Sequence, residues 1–273
     1  MNNLKTKIKY IALDIDGTLL NTDEKIMEKT RESLINLEEK GYRLLLVSGR
    51  AAYSLQTFLK PLKMDEFGGY LIGVNGGMIY DLNSKKLLFE RLIPADLVKE
   101  YFEAWPIRYA RAAYYGDELR TDTYYNPDFK KLYTVNFMKI KKIHSLNELQ
   151  ERGSNKLMIS SPHEKLLETV PQIREQFKDK LYMTFSAPYY FEAMMPDINK
   201  GFGLRRFSEL TGTPLDQIIA FGDGDNDAPF VKAAGFGVAM GNASELTKAS
   251  ADDITASNDE DGIYRYLKKI ELI

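Results

Sequence analysis

Two acidic runs carry the residues best placed to do chemistry: Asp14-Ile15-Asp16-Gly17-Thr18 and Gly222-Asp223-Gly224-Asp225-Asn226-Asp227. Each follows an apolar stretch that reads as a buried strand. In an extended chain residues two apart point the same way, so Asp14 and Asp16 project into one space beyond the strand end. Gly17 lets the backbone turn back close to a bound group. One carboxylate of such a pair can attack while the other moves protons. The plain alternative is a strand end with aspartates in a turn.

The second run has the alternating aspartates of a calcium loop. That loop needs glycine where Ala228 stands and a glutamate ligand where Ala234 stands, so the calcium reading fails twice. A looped carboxylate cluster at a strand end, facing another such cluster, suits instead a Mg²⁺ ion that keeps several waters and bridges to a substrate phosphate. Acids decorating a helix N-terminus are the alternative, and Asp225 needs no other explanation.

Asn199 is suited to cap a helix, which puts Lys200 in the first turn, where a cation opposes the helix dipole at a cost of about 0.3–1 kcal/mol. A phosphate bound there would reverse that penalty. Ser48 and Gly49 offer a hydroxyl and a backbone N–H for phosphate oxygens, although a Ser-Gly pair is also an ordinary turn. Arg50 would reach the substrate or pair with a surface carboxylate. Asn75-Gly76-Gly77 is first a hairpin signal and second a substrate contact through Asn75.

The elements that must position these groups alternate. Apolar runs at 8–13, 43–47 and 70–74 read as buried parallel strands, with helices predicted over 24–40 and 51–60 between them. That order implies right-handed crossovers in a doubly wound sheet, whose ligands bind beyond the carboxyl ends of the strands. Asp14, Ser48 and Asn75 all fall there. The rhythm changes after residue 83, where a helix over 96–105, strands near 109–115, 156–160, 181–185 and 189–194, and a helix over 163–177 describe α+β material. The βα pattern resumes after Asn199. The expected division is a core of 1–83 and 190–273 with an inserted domain at 84–189.

Composition excludes several classes. The 273 residues, 44% hydrophobic, can bury a sizeable core, and a net charge of −2 leaves no global attraction for nucleic acid or an anionic membrane. With no cysteine and two histidines, thiol nucleophiles, disulfides and Cys-ligated metals are out. No stretch reads as a membrane span or a signal peptide, so a cytoplasmic protein is expected, as a monomer or weak homodimer.

Taken in order, Asp14-x-Asp16-Gly17-Thr18, Ser48-Gly49-Arg50, Asn75-Gly76, Lys200-Gly201 and Gly222-Asp223-x-x-Asn226-Asp227 resemble the haloacid dehalogenase superfamily, and within it the Cof-like, cap-bearing phosphatases. Gly237 to Ala243 and Asn258-x-x-Asp261-Gly262 strengthen the likeness. The inserted region matches in position and length only. The resemblance implies a Rossmannoid α/β fold, doubly wound and mainly parallel, with an inserted α+β cap. It implies Asp14 as nucleophile forming an aspartyl-phosphate and Asp16 as proton donor and then base. Ser48 and Lys200 would hold phosphoryl oxygens, and Asp14, the Asp16 carbonyl and Asp223 would ligate Mg²⁺, with Asp227 and Asn226 in or near its shell. Ala228-Pro229 stands where an aliphatic pair is more usual. The expected substrate is a small phosphorylated metabolite, a sugar phosphate or a phosphorylated cofactor. A phosphomutase shares the same core, and a receiver-like phospho-acceptor shares its Asp, hydroxyl and Lys but lacks the second Asp and the cap. Tyr114, Tyr115, Tyr124, Tyr125, Tyr189 and Tyr190 are either pocket lining or core packing, and Lys139, Lys141 and Lys142 read as a solvated face.

Overall fold

A computed structural model describes residues 7–106, 109–122, 139–149 and 152–273. The chain divides into two compact units, Met1–Phe89 with Asn199–Ile273, and Glu90–Ile198.

The first unit is built on one sheet. Its strands are β1 (Tyr10–Asp14), β2 (Arg43–Val47), β3 (Tyr70–Gly73), β4 (Met78–Asp81), β5 (Lys86–Glu90, ending at the junction), β12 (Ile218–Gly222), β13 (Phe236–Ala239) and β14 (Asp253–Ile254). They lie in the order β14-β13-β12-β1-β2-β3-β4-β5. The six from β14 to β3 pair in parallel, and β3 and β4 form an antiparallel hairpin. Because β2 and β12 flank β1 on opposite sides, β1 marks the switch point of the winding, where such sheets open a crevice. Register completes the arrangement: Leu13 is opposite Phe221 and Asp14 opposite Val47. The loops after β1, β2 and β12 therefore leave the sheet side by side.

The central strands are apolar throughout because both faces are covered. On one face Leu204 and Phe207 of α4 (Lys200–Thr211) and Phe230 and Val231 of α5 (Ala228–Ala233) pack on Ala12, Leu45, Val47 and Ile72. At roughly 1.5–3 kcal/mol for each large apolar side chain buried, this layer anchors the strand ends that carry the site. Helix α1 (Glu28–Glu39) packs against α6 (Gly262–Lys269).

The helix predicted over 24–40 starts four residues late. Leu20 bridges both Asp16 and Ile26, the Asn21 side chain accepts from the Lys25 N–H, and Glu24 takes a left-handed φ of 58°. These local bonds use backbone groups that the first helical turn would need. The segment over 51–60 is 3₁₀ helix at Ala52–Phe58 instead of α-helix.

The second unit holds β6 (Ala110–Tyr115), β7 (Glu118–Thr121), β8 (Lys139–Lys142), β9 (Leu157–Ser160), β10 (Tyr182–Ala187) and β11 (Tyr190–Met194), in the order β10-β11-β9-β6-β7-β8. The described pairings are antiparallel except β7 with β8, which is parallel. Helices α2 (Ala95–Ala104) and α3 (His163–Phe177) bury Val98, Tyr101, Phe102, Leu166, Val170 and Ile173 against Ala113, Tyr115, Leu157, Ile159, Phe191 and Ala193. Those strand residues alternate along their chains, so they form one face of the sheet. The boundaries expected at 83/84 and 189/190 both move. Lys86–Glu90 adds a strand to the first sheet, and Tyr190–Met194, expected in the core, pairs with β9 and β10 in the second. Composition gave no break at either place, and strand pairing alone decides.

Candidate active site

Strand β1 ends on Asp14, a carboxylate only 4% exposed. Its Oδ1 accepts from Lys200 Nζ at 2.5 Å, and the same ammonium donates to Asp227 Oδ1 at 2.5 Å. Lys200 gets there because Asn199 caps α4, its side chain accepting from the Phe202 N–H at 2.9 Å. The helix also comes unusually close to the β3–β4 turn. A Cβ on Gly203 would lie 2.5 Å from the Gly76 Cα, so no residue with a side chain fits at that crossing.

The loop after β12 closes on itself: the N–H groups of Asp223 and Gly224 both donate to Asp227 Oδ2 at 3.0 Å. It is then fastened to the first motif, since Thr18 Oγ1 donates to Asp223 Oδ1 at 2.7 Å. Gly17, at φ 83°, lies so near that an added Cβ would sit 2.3 Å from Asp223 Oδ2. Asn242 Nδ2 donates to the Gly17 carbonyl, and Ser244 N–H to the Asp223 carbonyl, both at 2.8 Å.

Carboxylate oxygens of Asp14, Asp223 and Asp227 lie within 4.8 Å of one another. Burial, reinforced by Asp227, pushes the Asp14 pKa well above the usual carboxylate range despite Lys200. Asp223 is raised as well, by burial and then by Asp227, against the Thr18 hydrogen bond. Burial works against the Lys200 ammonium, but Asp14 and Asp227 outweigh it and hold its pKa above the ordinary range. Three crowded carboxylates facing one ammonium leave surplus negative charge, and an all-oxygen donor set of that kind fits a divalent cation such as Mg²⁺.

Ser48, just past β2, is buried; its N–H donates to Ile72 O and its carbonyl accepts from the Asn75 N–H. Its Oγ accepts from the Arg50 N–H at 3.1 Å, leaving the hydroxyl proton to donate elsewhere. Asn75 has φ 52°, and so does Val74, a conformation that costs a β-branched residue about 1–3 kcal/mol. Hydrogen bonds from Val74 N to Arg50 O at 2.7 Å and Asn75 N to Ser48 O at 3.0 Å hold them there. Asn75 Oδ1 then accepts from Asn226 Nδ2 at 3.1 Å and faces Gly49, where an added Cβ would lie 3.2 Å away.

Arg50 pairs with an exposed carboxylate, and that carboxylate belongs to the first motif. Its guanidinium grips Asp16, Nε to Oδ2 at 3.0 Å and the second nitrogen to Oδ1 at 2.5 Å. Asp14, Lys200 and Asp227 thus form one buried knot with the half-buried Asp223 beside it, with Ser48 and Gly49 on the adjoining loop and the Asp16–Arg50 and Asn75–Asn226 pairs also tied to that loop. Asp225 is exposed and outside the carboxylate cluster.

Sequence reasoning gave no role to Thr18, Asn242 or Val74. Thr18 was legible in principle, as a hydroxyl two residues past Asp16. Nothing local marks Val74, a valine in a left-handed turn. Tyr115 packs in the helix-covered core and its hydroxyl donates to Leu149 O, while Tyr114, on the opposite sheet face, lies under Lys156 Nζ at 4.8 Å. Tyr189 and Tyr190 stack edge-on at 4.6 Å, and Tyr124 and Tyr125 lie outside the described residues. The strand Lys139–Lys142 is exposed throughout, as a solvated face should be.

Residues 11–267 match the family of haloacid dehalogenase-like hydrolases, and the chain belongs to that family. It is an enzyme of the phosphatase type found there, hydrolysing phosphomonoesters. Among its relatives, the 5-amino-6-(5-phospho-D-ribitylamino)uracil phosphatase YitU of Bacillus subtilis is 29% identical over 97% of this chain and 98% of its own length. An HMP-PP phosphatase of Serratia proteamaculans is 29% identical over 86% and 84%. A crystal structure of a haloacid dehalogenase-like hydrolase from Bacteroides thetaiotaomicron superposes with a TM-score of 0.90 at 35% identity, covering 97% of this chain and all of that one. The α/β core with a second, inserted sheet is the architecture of these enzymes. Among the described residues no helix is long and apolar enough to cross a membrane.

Proposed function

We propose that the chain transfers the phosphoryl group of a small phosphorylated metabolite to Asp14 and then to water. The observation that carries this reading is the buried Asp14 carboxylate, fixed by Lys200 at 2.5 Å and crowded by Asp223 and Asp227. An Asp14 oxygen attacks phosphorus as the bond to the leaving oxygen breaks, and Asp16 supplies the proton that oxygen needs. A water oxygen next attacks phosphorus and gives its proton to Asp16, the acyl-phosphate bond breaks, and phosphate leaves with the Asp14 carboxylate restored. Ser48, the Gly49 N–H, Lys200 and the Asn75–Asn226 pair bind the phosphoryl oxygens, as positioned donors do in phosphoryl transfer. Asp14, the Asp16 carbonyl, Asp223 and Asp227 would hold Mg²⁺, which when bound offsets the repulsion between carboxylate and phosphate.

Substrate choice is assigned to the second unit, and the relatives' names point to phosphorylated intermediates carrying a sugar-like chain or a heterocycle. A panel of sugar phosphates and phosphorylated cofactor precursors, assayed for released phosphate with Mg²⁺ and with chelator, tests this. Metal-dependent release that disappears in Asp14→Asn is expected. Full turnover in Asp14→Asn sinks the mechanism.

A further inference from the structure

The segment after β13 holds both acidic loops. Three consecutive carbonyls of the second loop are taken by it: Gly222 O accepts from the Met240 N–H at 3.0 Å, Asp223 O from the Ser244 N–H at 2.8 Å and Gly224 O from Thr247 Oγ1 at 2.6 Å. From the same segment the Asn242 side chain reaches the first loop, where its Nδ2 donates to the Gly17 carbonyl at 2.8 Å. Its Oδ1 accepts from the Asn258 N–H at 3.0 Å, and Asn258 Nδ2 donates to the Leu20 carbonyl at 2.9 Å. A carbonyl on one side and an N–H on the other fix which end of the Asn242 amide faces Gly17. The segment is itself closely seated: the Gly241 N–H donates to Ala256 O at 3.0 Å, and a Cβ on Gly241 would lie 2.8 Å from the Ser257 nitrogen.

We propose that Asn242 is a positioning residue that sets the gap between the two acidic loops, and through it the affinity of the site for Mg²⁺. The inference rests on the reading of Asp14, Asp223, Asp227 and the Asp16 carbonyl as a Mg²⁺ site. Gly17 has no side chain to restrict its backbone and stands at φ 83°, so the peptides on either side of it turn easily. One of them carries the Asp16 carbonyl. The other leads into Thr18, whose hydroxyl holds Asp223 Oδ1 at 2.7 Å. Fixing the Gly17 carbonyl pins the second peptide and limits the first. Because Ser244, two residues beyond Asn242, grips the Asp223 carbonyl, both loops are held by one bracket. Without the Asn242 amide the ligand atoms sample other spacings. Apparent affinity then falls in proportion to the time spent in the right one, whereas the loaded site is unchanged.

The test is titration calorimetry of the chelator-treated protein with Mg²⁺ alone, comparing wild type, Asn242→Ala and Thr22→Val. Thr22 Oγ1 donates to Asp259 Oδ2 at 2.6 Å, so Thr22→Val also removes a bond between the β1–α1 stretch and the chain beside Asn258, but away from Gly17 and Asp223. Asn242→Ala should bind Mg²⁺ about three- to tenfold more weakly, the size expected for one hydrogen bond, and Thr22→Val within about twofold of wild type. Hydrolysis of 4-nitrophenyl phosphate gives a second readout. Asn242→Ala should need more Mg²⁺ for half-maximal rate, by the same factor, and recover kcat within about threefold of wild type at saturating Mg²⁺. A residue that only supports the fold would lower the rate alike at every Mg²⁺ concentration. Unchanged Mg²⁺ affinity in Asn242→Ala, an equal loss in Thr22→Val, or a kcat that saturating Mg²⁺ does not restore overturns the proposal. Wild-type protein that binds no Mg²⁺ refutes instead the metal reading on which the proposal rests. Melting curves in chelator check that both variants are folded at the temperature of the titration.

Discussion

Replacing Lys200 by Met keeps the length and apolar stem of the side chain and removes the ammonium that Asp14 and Asp227 share. Both carboxylates are at least nine-tenths buried, and Asp227 already spends Oδ2 on two backbone N–H groups. Removing one member of a buried ion pair costs about 3–5 kcal/mol, because a charge is left without a partner. For a unit of this size each kcal/mol lowers the melting temperature by about 2–4 °C, so a fall of roughly 6–20 °C is expected in chelator near neutral pH. Burial already raises the Asp14 pKa, so its orphaned carboxylate can escape by taking up a proton, and the fall should be smaller at about pH 5 than at about pH 8. Far-UV circular dichroism is the assay. Tryptophan fluorescence would report the wrong unit, since the single tryptophan, Trp105, lies in the second. A shift below about 2 °C at both pH values would show that Lys200 does not hold these charges together.

Three further outcomes follow from particular contacts. Gly17→Ala places a Cβ 2.3 Å from Asp223 Oδ2 at a φ of 83°, so it should displace the Asp223 carboxylate. Titration calorimetry should show Mg²⁺ affinity lowered at least about tenfold, a loss of about 1.4 kcal/mol, and unchanged affinity would contradict the packing described. Glu38 is 1% exposed with neither carboxylate oxygen hydrogen-bonded among the described residues, and burial, opposed by Arg43, pushes its pKa up to about 8. A raised carboxylate pKa in the folded state makes stability fall as pH rises from the ordinary value toward 8. Glu38→Gln should thus match wild type near pH 5 and exceed it by about 1–3 kcal/mol above pH 8 in urea unfolding. A difference that does not change with pH would count against a buried, unpaired Glu38. Ser48→Ala removes a buried hydroxyl proton donor to phosphate, so kcat should drop about 100-fold or more with the fold intact, and an undiminished kcat would exclude that role.

The parallel core was legible because continuous apolar runs ending in Asp14, Ser48 and Gly222 have few other readings. Lys200 was legible from its awkward place in a helix dipole, which its two carboxylate partners resolve. What escaped depends on contacts distant in sequence. The Arg50–Asp16 fork joins residues that each look self-sufficient. The Val74 turn is held by backbone hydrogen bonds from another loop, and the Gly76–Gly203 crossing joins a hairpin to a helix more than a hundred residues away. The late start of α1 is the opposite case: Asn21 and Glu24 offered the local turn chemistry, and the apolar periodicity concealed it.

The central claim is that Asp14 carries the phosphoryl group. Quenching the Mg²⁺-loaded enzyme with acid during turnover, reducing with borohydride and sequencing the peptides by mass spectrometry reads it directly, since reduction converts an acyl phosphate to an alcohol. Homoserine at position 14, dependent on substrate, is the expected result; an unmodified Asp14, with turnover proceeding or with the label on another residue, would contradict it.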